Sequence, residues 1–181
     1  SGKYTTAIVI GCDVQSQFIV SGFQSFKALS DSPCRPFDAE RTGLNLGEAV
    51  ATMIYSIECP KKACWQLTAG SMHNDANHIS GPSRTGEGSY RCLVDVLLHC
   101  DTADINALSV HGTATPYNDE MEAIAIHRAH MHEVPILVFK GYYGHTMGAA
   151  GVLETILTML ALENGTLIGN PRYEACGTSY A

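Results

Sequence analysis

The sequence predicts an α/β protein with helices layered on a mixed or parallel sheet. In its second half, the order strand, loop, helix occurs twice in succession. Residues 105–110 and 135–139 are the two short apolar strands, and each runs through a polar loop into a helix. Such an alternation is typical of a βαβ unit, in which the two strands lie parallel.

The first half contains the remaining predicted elements. Residues 7–10 are apolar and β-branched, as in a buried strand, and residues 17–29 place apolar side chains at helical spacing. Residues 33–41 form a loop before a long extended segment, and residues 65–72 are predicted as a further strand. A loop rich in polar residues and glycine over 73–88 then precedes a helix over 90–99.

Two helix ends are marked by local signals. Asn118 is a plausible N-cap of the helix after the first loop, because acidic residues follow it in the first turn. Asn164 and Gly165 are a typical C-terminal signal for the last helix.

Composition excludes several classes of function. The chain of 181 residues is 45% hydrophobic and 16% charged, which suits one soluble domain. A net charge of -7 without a cluster of lysines and arginines argues against binding nucleic acid or an anionic membrane. The most apolar helical stretch, residues 148–162, is too short to span a bilayer. With no signal peptide near its first residue, the chain is predicted to be cytoplasmic.

Seven cysteines are an odd number without a secretory signal, so reduced thiols are expected. Cys59 and Cys64 lie five positions apart, but no second pair accompanies them to complete a zinc site. Cys12, at the end of the first strand, is interpreted as a structural thiol rather than a nucleophile.

Each of the two βα loops carries one histidine beside glycine and threonine. Because the carboxyl ends of parallel strands lie at one edge of a sheet, His111 and His145 are predicted to share a cleft. Two imidazoles there suit proton transfer or hydrogen bonding to an oxyanion. Lys140 and Glu154 frame the second histidine and are predicted to pair. The alternative is that a histidine lies on the surface or in the core and has no catalytic role. This is the interpretation for the other six histidines.

These loops resemble the two histidine motifs of the β-ketoacyl-acyl-carrier-protein synthases, which have a thiolase-like fold. The matching motifs are His111-Gly-Thr-Ala-Thr-Pro-Tyr-Asn-Asp119 and Lys140-Gly-Tyr-Tyr-Gly-His145-Thr-Met-Gly-Ala-Ala-Gly151. Residues 34–48 and 73–82 resemble two further segments of that family, in the right order.

The resemblance implies a decarboxylating condensation in fatty acid or polyketide synthesis. His111 and His145 would hydrogen-bond the malonyl thioester carbonyl and assist loss of carbon dioxide. Lys140 would pair with Glu154 and contribute to the electrostatics of this acyltransferase site.

The resemblance also implies the partners of the site. Thr113 and Thr115 would contact the pantetheine arm of the acyl carrier protein, in a homodimer or heterodimer that needs no dissociable cofactor. Some members bind a monovalent cation through an asparagine two residues before the first histidine. That position is Ser109 here, so no metal is assigned.

Two family segments have no counterpart in the sequence: the helix that carries the nucleophilic cysteine, and the closing Gly-Phe-Gly-Gly segment. Residues 1–181 are therefore interpreted as a partial synthase domain, comprising the end of the amino-terminal half and most of the carboxyl-terminal half. Alone, such a chain is expected to be inactive and to expose apolar surface.

Two other functions are weighed against this one. A non-condensing partner resembling a chain-length factor would bind an active synthase without forming an acyl-enzyme, although it would have little use for both histidines. Thiolases and other non-decarboxylating relatives usually have a cysteine in place of the second histidine, so His145 argues against them.

Overall fold

The computed structural model describes residues 3–59, 64–78 and 81–180. Two short 3-10 turns accompany nine helices and strands in these ranges. The helices and strands are β1 Thr6–Asp13, α1 Gln17–Ser25, β2 Ala49–Ser56, α2 Glu87–Leu97, β3 Leu108–Ser109, α3 Pro116–Arg128, β4 Ile136–Leu137, α4 Lys140–Tyr143 and α5 Ala150–Glu163, and the turns are Thr102–Asp104 and Met147–Ala149.

The predicted βαβ unit is confirmed. Strands β3 and β4 are parallel, with Leu108 opposite Ile136, and α3 forms the crossover between them. Both strands are shorter than predicted, with two residues each. The core lies where α3 packs on this sheet, and it includes Val110, Ile126 and Val138.

Strands β1 and β2 form a separate antiparallel pair, in register from Thr6 opposite Ser56 to Asp13 opposite Ala49. One face contacts α5 and the Met147–Ala149 turn, where Gly11 and Ala51 are buried. The other face is apolar and largely exposed to solvent. Its exposed side chains include Ile8, Ile10, Val50 and Ile54, each more than 60% accessible. The expected apolar surface is therefore present, and this face is one part of it.

Four local predictions are wrong. Residues 7–10 form part of strand β1, but they are exposed rather than buried. Residues 65–72 form no strand; the Trp65 indole instead donates a hydrogen bond to Glu163 Oε1 at 2.6 Å. Helix α3 begins at Pro116 with Thr115 as its N-cap, not at Asn118, because proline suits the first position of a helix. Cys59 and Cys64 are joined by a disulfide, so the expectation of reduced thiols fails for this pair.

The remaining predicted helices are present, and their ends differ from the predicted ends by a few residues. Helix α1 ends at Ser25, earlier than predicted, while α2 begins at Glu87, within the end of the predicted loop. Asn164 caps α5, and Gly165 has a φ of +61°, as the C-terminal signal predicts. Among the helices of the described ranges, none has the length and apolar character needed to cross a membrane.

Candidate active site

The two βα loops bring their histidines together. The ring centroids of His111 and His145 lie 5.1 Å apart, and the ring planes are inclined by 82°. The two imidazoles are therefore in direct proximity, as the parallel strands predict. His111 also lines a cavity of about 400 Å³ with Pro82, Asn118 and Glu122.

The backbone of His111 is held from two directions. Its N–H donates to Glu122 Oε1 at 2.7 Å, and the Gly112 N–H donates to Glu122 Oε2 at 2.9 Å. Its carbonyl oxygen accepts a hydrogen bond from Lys140 Nζ at 2.7 Å. Gly112 has a φ of +47°, which favours glycine at this turn. Helix α3 and the second loop thus fix the position from which the ring projects.

His145 is fixed by a different segment. Its N–H donates to Asn45 O at 2.7 Å, and its carbonyl accepts from Gly47 N–H at 3.0 Å. The Nδ1 atom of its ring accepts a hydrogen bond from Met147 N–H at 3.1 Å. Because Nδ1 is an acceptor, the proton of the neutral ring is on Nε2. That nitrogen is therefore the hydrogen-bond donor that His145 can offer.

Lys140 and Glu154 form a buried ion pair, as the sequence predicts. Lys140 Nζ lies 2.6 Å from Glu154 Oε1, and the residues are 1% and 8% exposed. Burial raises the pKa of Glu154, and the nearby ammonium opposes that rise. Since Lys140 also donates to the His111 carbonyl, it links the two loops to α5.

Both imidazoles are held in the neutral form at neutral pH. Desolvation, followed by the charges of Lys140 and His145, lowers the pKa of His111 to about 3. Desolvation, followed by Lys140, lowers the pKa of His145 to about 4. Part of His111 remains accessible to solvent, so a ligand can reach this residue.

The two threonines that are predicted to contact the pantetheine arm differ in their exposure to solvent. Their hydroxyl oxygens lie 2.9 Å apart, but Thr113 is 2% exposed whereas Thr115 is half-buried. Thr115 lines a second cavity, of about 1040 Å³, together with Lys27 and Tyr117. Gly81 and Pro82 line this cavity and that of His111, which are therefore neighbours. Thr115 is the threonine that faces open space.

Asp119 belongs to this site, although its place in the sequence predicts only a favourable charge at a helix start. It is fully buried and accepts hydrogen bonds from Phe37 N–H at 2.7 Å and Ala114 N–H at 3.1 Å. Desolvation raises its pKa to about 6, against the opposing effects of these bonds and Arg41. Asp119 joins the first histidine loop to the segment before β2. The sequence signal for this residue is an acidic side chain in the first turn of a helix that begins with a proline, Pro116.

The resemblance also matches Glu122 and Glu154 to acidic cation ligands of the family, but both side chains are engaged by other groups here. Both oxygens of Glu122 accept backbone N–H groups, and Oε1 of Glu154 pairs with Lys140. Position 109, where the family's ligand is asparagine, is serine.

The thiol of Cys34, which contacts Lys140, is unsuited to nucleophilic attack. Cys34 is buried, and its Sγ donates to Lys140 O at 3.1 Å. Burial raises the pKa of Cys34, which disfavours the reactive thiolate. Cys12 is exposed on β1, and α1 begins only at Gln17, so the N-terminus of α1 does not directly follow it.

Comparison with solved structures identifies the architecture. The ishigamide ketosynthase/chain length factor structure matches 99% of this chain and 47% of that chain, with a TM-score of 0.84 and 28% identity. The ketosynthase ApeO in complex with its chain length factor ApeC, from Xenorhabdus doucetiae, gives a TM-score of 0.80 at 31% identity over 96% of this chain and 46% of that one. The thiolase-like α/β fold is thereby confirmed.

Sequence comparison agrees. Relatives include 3-oxoacyl-[acyl-carrier-protein] synthase 2 of Coxiella burnetii, 33% identical over 81% of this chain and 39% of that protein. Nodulation protein E of Rhizobium meliloti is 31% identical over 95% of this chain and 45% of that protein. The chain thus spans less than half the length of these relatives. Residues 66–174 match the model of the beta-ketoacyl synthase C-terminal domain, and the chain belongs to the β-ketoacyl synthase family.

Proposed function

We propose that this chain is part of a 3-oxoacyl-[acyl-carrier-protein] synthase and supplies its two active-site histidines. The whole enzyme would condense an acyl thioester with malonyl-acyl-carrier protein, with loss of carbon dioxide. The observation that carries the proposal is the pair of neutral imidazoles 5.1 Å apart. The 3-oxoacyl-[acyl-carrier-protein] synthase 2 of Coxiella burnetii supports this acyl-transfer class.

The proposed chemistry uses hydrogen bonds rather than full proton transfer. The malonyl thioester oxygen accepts hydrogen bonds from the two rings, and the bond to the carboxylate carbon breaks. The electron pair moves onto that oxygen as carbon dioxide leaves, so an enolate forms. Preorganised donors lower this barrier because they stabilise the developing negative charge. The enolate carbon then attacks an acyl thioester held by a cysteine elsewhere in the enzyme, and the cysteine thiolate leaves.

Lys140 and Glu154 support the rings rather than bind substrate. The Lys140 ammonium favours neutral imidazoles, and its bond to the His111 carbonyl keeps the first loop in place. Glu154 compensates the buried ammonium, at 2.6 Å. Without this carboxylate, burial of the Lys140 charge would be strongly unfavourable.

Substrate delivery is proposed to pass Thr115. The cavity that this residue lines adjoins the cavity of His111 at Gly81 and Pro82. A pantetheine arm on an acyl carrier protein would place its thioester near the rings by this route, with Thr113 behind Thr115. The proposal includes a cytoplasmic homodimer or heterodimer that needs no dissociable cofactor.

A second candidate function is a non-condensing partner subunit. Two similar structures, at 28% and 31% identity, pair a ketosynthase with a chain length factor. Such a partner would form no acyl adduct and would not decarboxylate malonyl thioesters. The neutral histidine pair favours the condensing function.

The test is decarboxylation of malonyl-acyl-carrier protein by the native protein that contains this chain. We expect His111→Ala and His145→Ala each to lower the rate by about a hundredfold or more. His99→Ala, which changes an exposed histidine after α2, serves as the control and should retain the rate. A wild-type rate in His111→Ala would refute the proposed role, and absence of decarboxylation and of acyl adduct in the wild-type protein would favour the partner subunit.

A further inference from the structure

A carboxylate at the end of β1 reaches the turn that follows His145. Asp13 Oδ2 accepts a hydrogen bond from Gly148 N–H at 3.0 Å. Gly148 is the central residue of the Met147–Ala149 turn, and 135 positions separate it from Asp13. The first strand of the chain therefore contributes directly to the support of the second histidine loop.

The two segments fit closely at this contact. A Cβ atom on Gly11 would lie 2.7 Å from Gly148 O and 2.8 Å from Ala149 Cα, closer than real Cβ contacts. A Cβ atom on Gly148 would lie 3.2 Å from Asp13 Oδ2. Glycine on both sides thus allows the strand end and the turn to touch, and the carboxylate is the polar link between them.

The turn held by Asp13 is the one that binds the ring of His145. Met147 N–H donates to Nδ1 of that ring at 3.1 Å, and the next amide, that of Gly148, donates to Asp13. Met147 has a φ of +49°, which is unfavourable for a residue with a long side chain. An interaction outside the turn must therefore stabilise this conformation, and the Asp13 carboxylate provides one.

We propose that Asp13 is a positioning residue for His145. Its carboxylate holds the Met147–Ala149 turn so that Met147 N–H stays on Nδ1 and the ring proton stays on Nε2, which faces the reaction. The catalytic consequence rests on the proposed function, whereas the effect on the ring does not. Asp13 carries a negative charge near the ring and so opposes the effect of Lys140 on the pKa of His145.

The tautomer of His145 can be measured directly. In the native protein that contains this chain, ¹⁵N NMR of the imidazole at pH 7 should show Nδ1 unprotonated and Nε2 protonated. We expect the spectrum of Asp13→Ala to show the second tautomer as well, with the proton on Nδ1. The reason is that the turn loses its hydrogen bond to the Asp13 carboxylate. Asp13→Asn should restore the single tautomer, because an amide oxygen can accept the same Gly148 N–H. Asp101→Ala, at an exposed carboxylate without a side-chain cap bond, is the matched control.

The decarboxylation rate is the second readout. Asp13→Ala should lose about tenfold in rate, since a small displacement of a reacting group has a large effect. Asp13→Asn should stay within about twofold of the wild type, as expected if the acceptor rather than the charge positions the ring. If Asp13→Ala does not fold, Asp13→Ser, whose shorter hydroxyl falls short of Gly148, replaces it.

The outcomes separate this inference from the proposed function. A single wild-type tautomer in Asp13→Ala, or a mixture in Asp13→Asn, would overturn the positioning role. If instead the tautomers change as expected while the rates of Asp13→Ala and His145→Ala equal that of the wild type, the positioning role stands. The proposed function of His145 would then be wrong.

Discussion

Replacing Lys140 by methionine would test the electrostatic centre of the site. The substitution keeps most of the length of the side chain and removes its charge. Glu154, at 8% exposure, then loses its partner at 2.6 Å, and the His111 carbonyl loses a donor at 2.7 Å. Removing one member of a buried ion pair lowers the free energy of unfolding by about 3–5 kcal/mol, because the remaining charge is uncompensated.

The double variant Lys140→Met/Glu154→Leu should recover most of this loss. Replacing both members by apolar side chains removes the unpaired charge, and such replacements are often close to neutral. The unsatisfied His111 carbonyl should leave a residual cost of about 1–3 kcal/mol. Lys3→Met, at an exposed lysine near the first strand, is the control for loss of one positive charge.

Urea unfolding followed by circular dichroism would measure these free energies in the native protein that contains this chain. We expect the single variant to be the least stable of the set, with an unchanged dependence on urea. A loss below about 1 kcal/mol in Lys140→Met, as for an exposed ion pair, would refute the argument. So would a double variant less stable than the single one.

The same variant should alter the pH dependence of catalysis. The Lys140 charge lowers the pKa of His111 and of His145, so its removal raises both. Because the rings must be neutral to act as proposed, the rate should then begin to fall at a higher pH during acidification. An acid limb at the wild-type position would show that Lys140 does not set the protonation of the rings.

Three further predictions follow from the packing and the charges. The folded-state pKa values of about 3 for His111 and about 4 for His145 lie below the usual 6.5, so the unfolded chain binds more protons between these limits. The two histidines should therefore lower the melting temperature as the pH decreases from 6.5 to 4, whereas Asp119, whose pKa is raised to about 6, acts in the opposite direction. The wild type should thus lose more melting temperature over this range than a variant lacking both histidines, and an equal loss would contradict this. Gly11→Ala should cost about 1–3 kcal/mol of unfolding free energy through overpacking, while Gly22→Ala, which has open space, should not. Glu122→Gln should lower the decarboxylation rate about tenfold, because one amide oxygen replaces two carboxylate acceptors and loosens the first loop.

The hydrophobic pattern was sufficient to predict the part of the fold that brings the histidines together. Two apolar runs, each followed by a polar loop and a helix, imply parallel neighbours, and β3 and β4 are such a pair. The position of His111 and His145 at one edge of the sheet then follows from topology alone. Their 5.1 Å separation agrees with that reasoning, although no sequence pattern gives the distance.

Pairing partners and long-range contacts could not be predicted in the same way. Residues 65–72 have the composition of a strand, but an apolar run does not reveal whether another strand lies beside it. Asp119 stands where an acid favours a helix N-terminus, yet its hydrogen bonds reach Phe37, 82 positions away. The disulfide was missed for a related reason, since an odd total of cysteines does not exclude a local pair such as Cys59 and Cys64.

The contacts of the two histidines explain why the site depends on so much of the chain. The N–H and carbonyl of each residue are bound by groups from other elements: Glu122 and Lys140 for His111, Asn45 and Gly47 for His145. A loop held at both backbone groups has little freedom to move its ring, so the scaffold sets the separation of the imidazoles. Positioning to within about half an ångström is what stabilisation of a developing oxyanion requires. The residues that hold these loops therefore matter as much as the rings, because a displaced donor no longer meets the charge that forms.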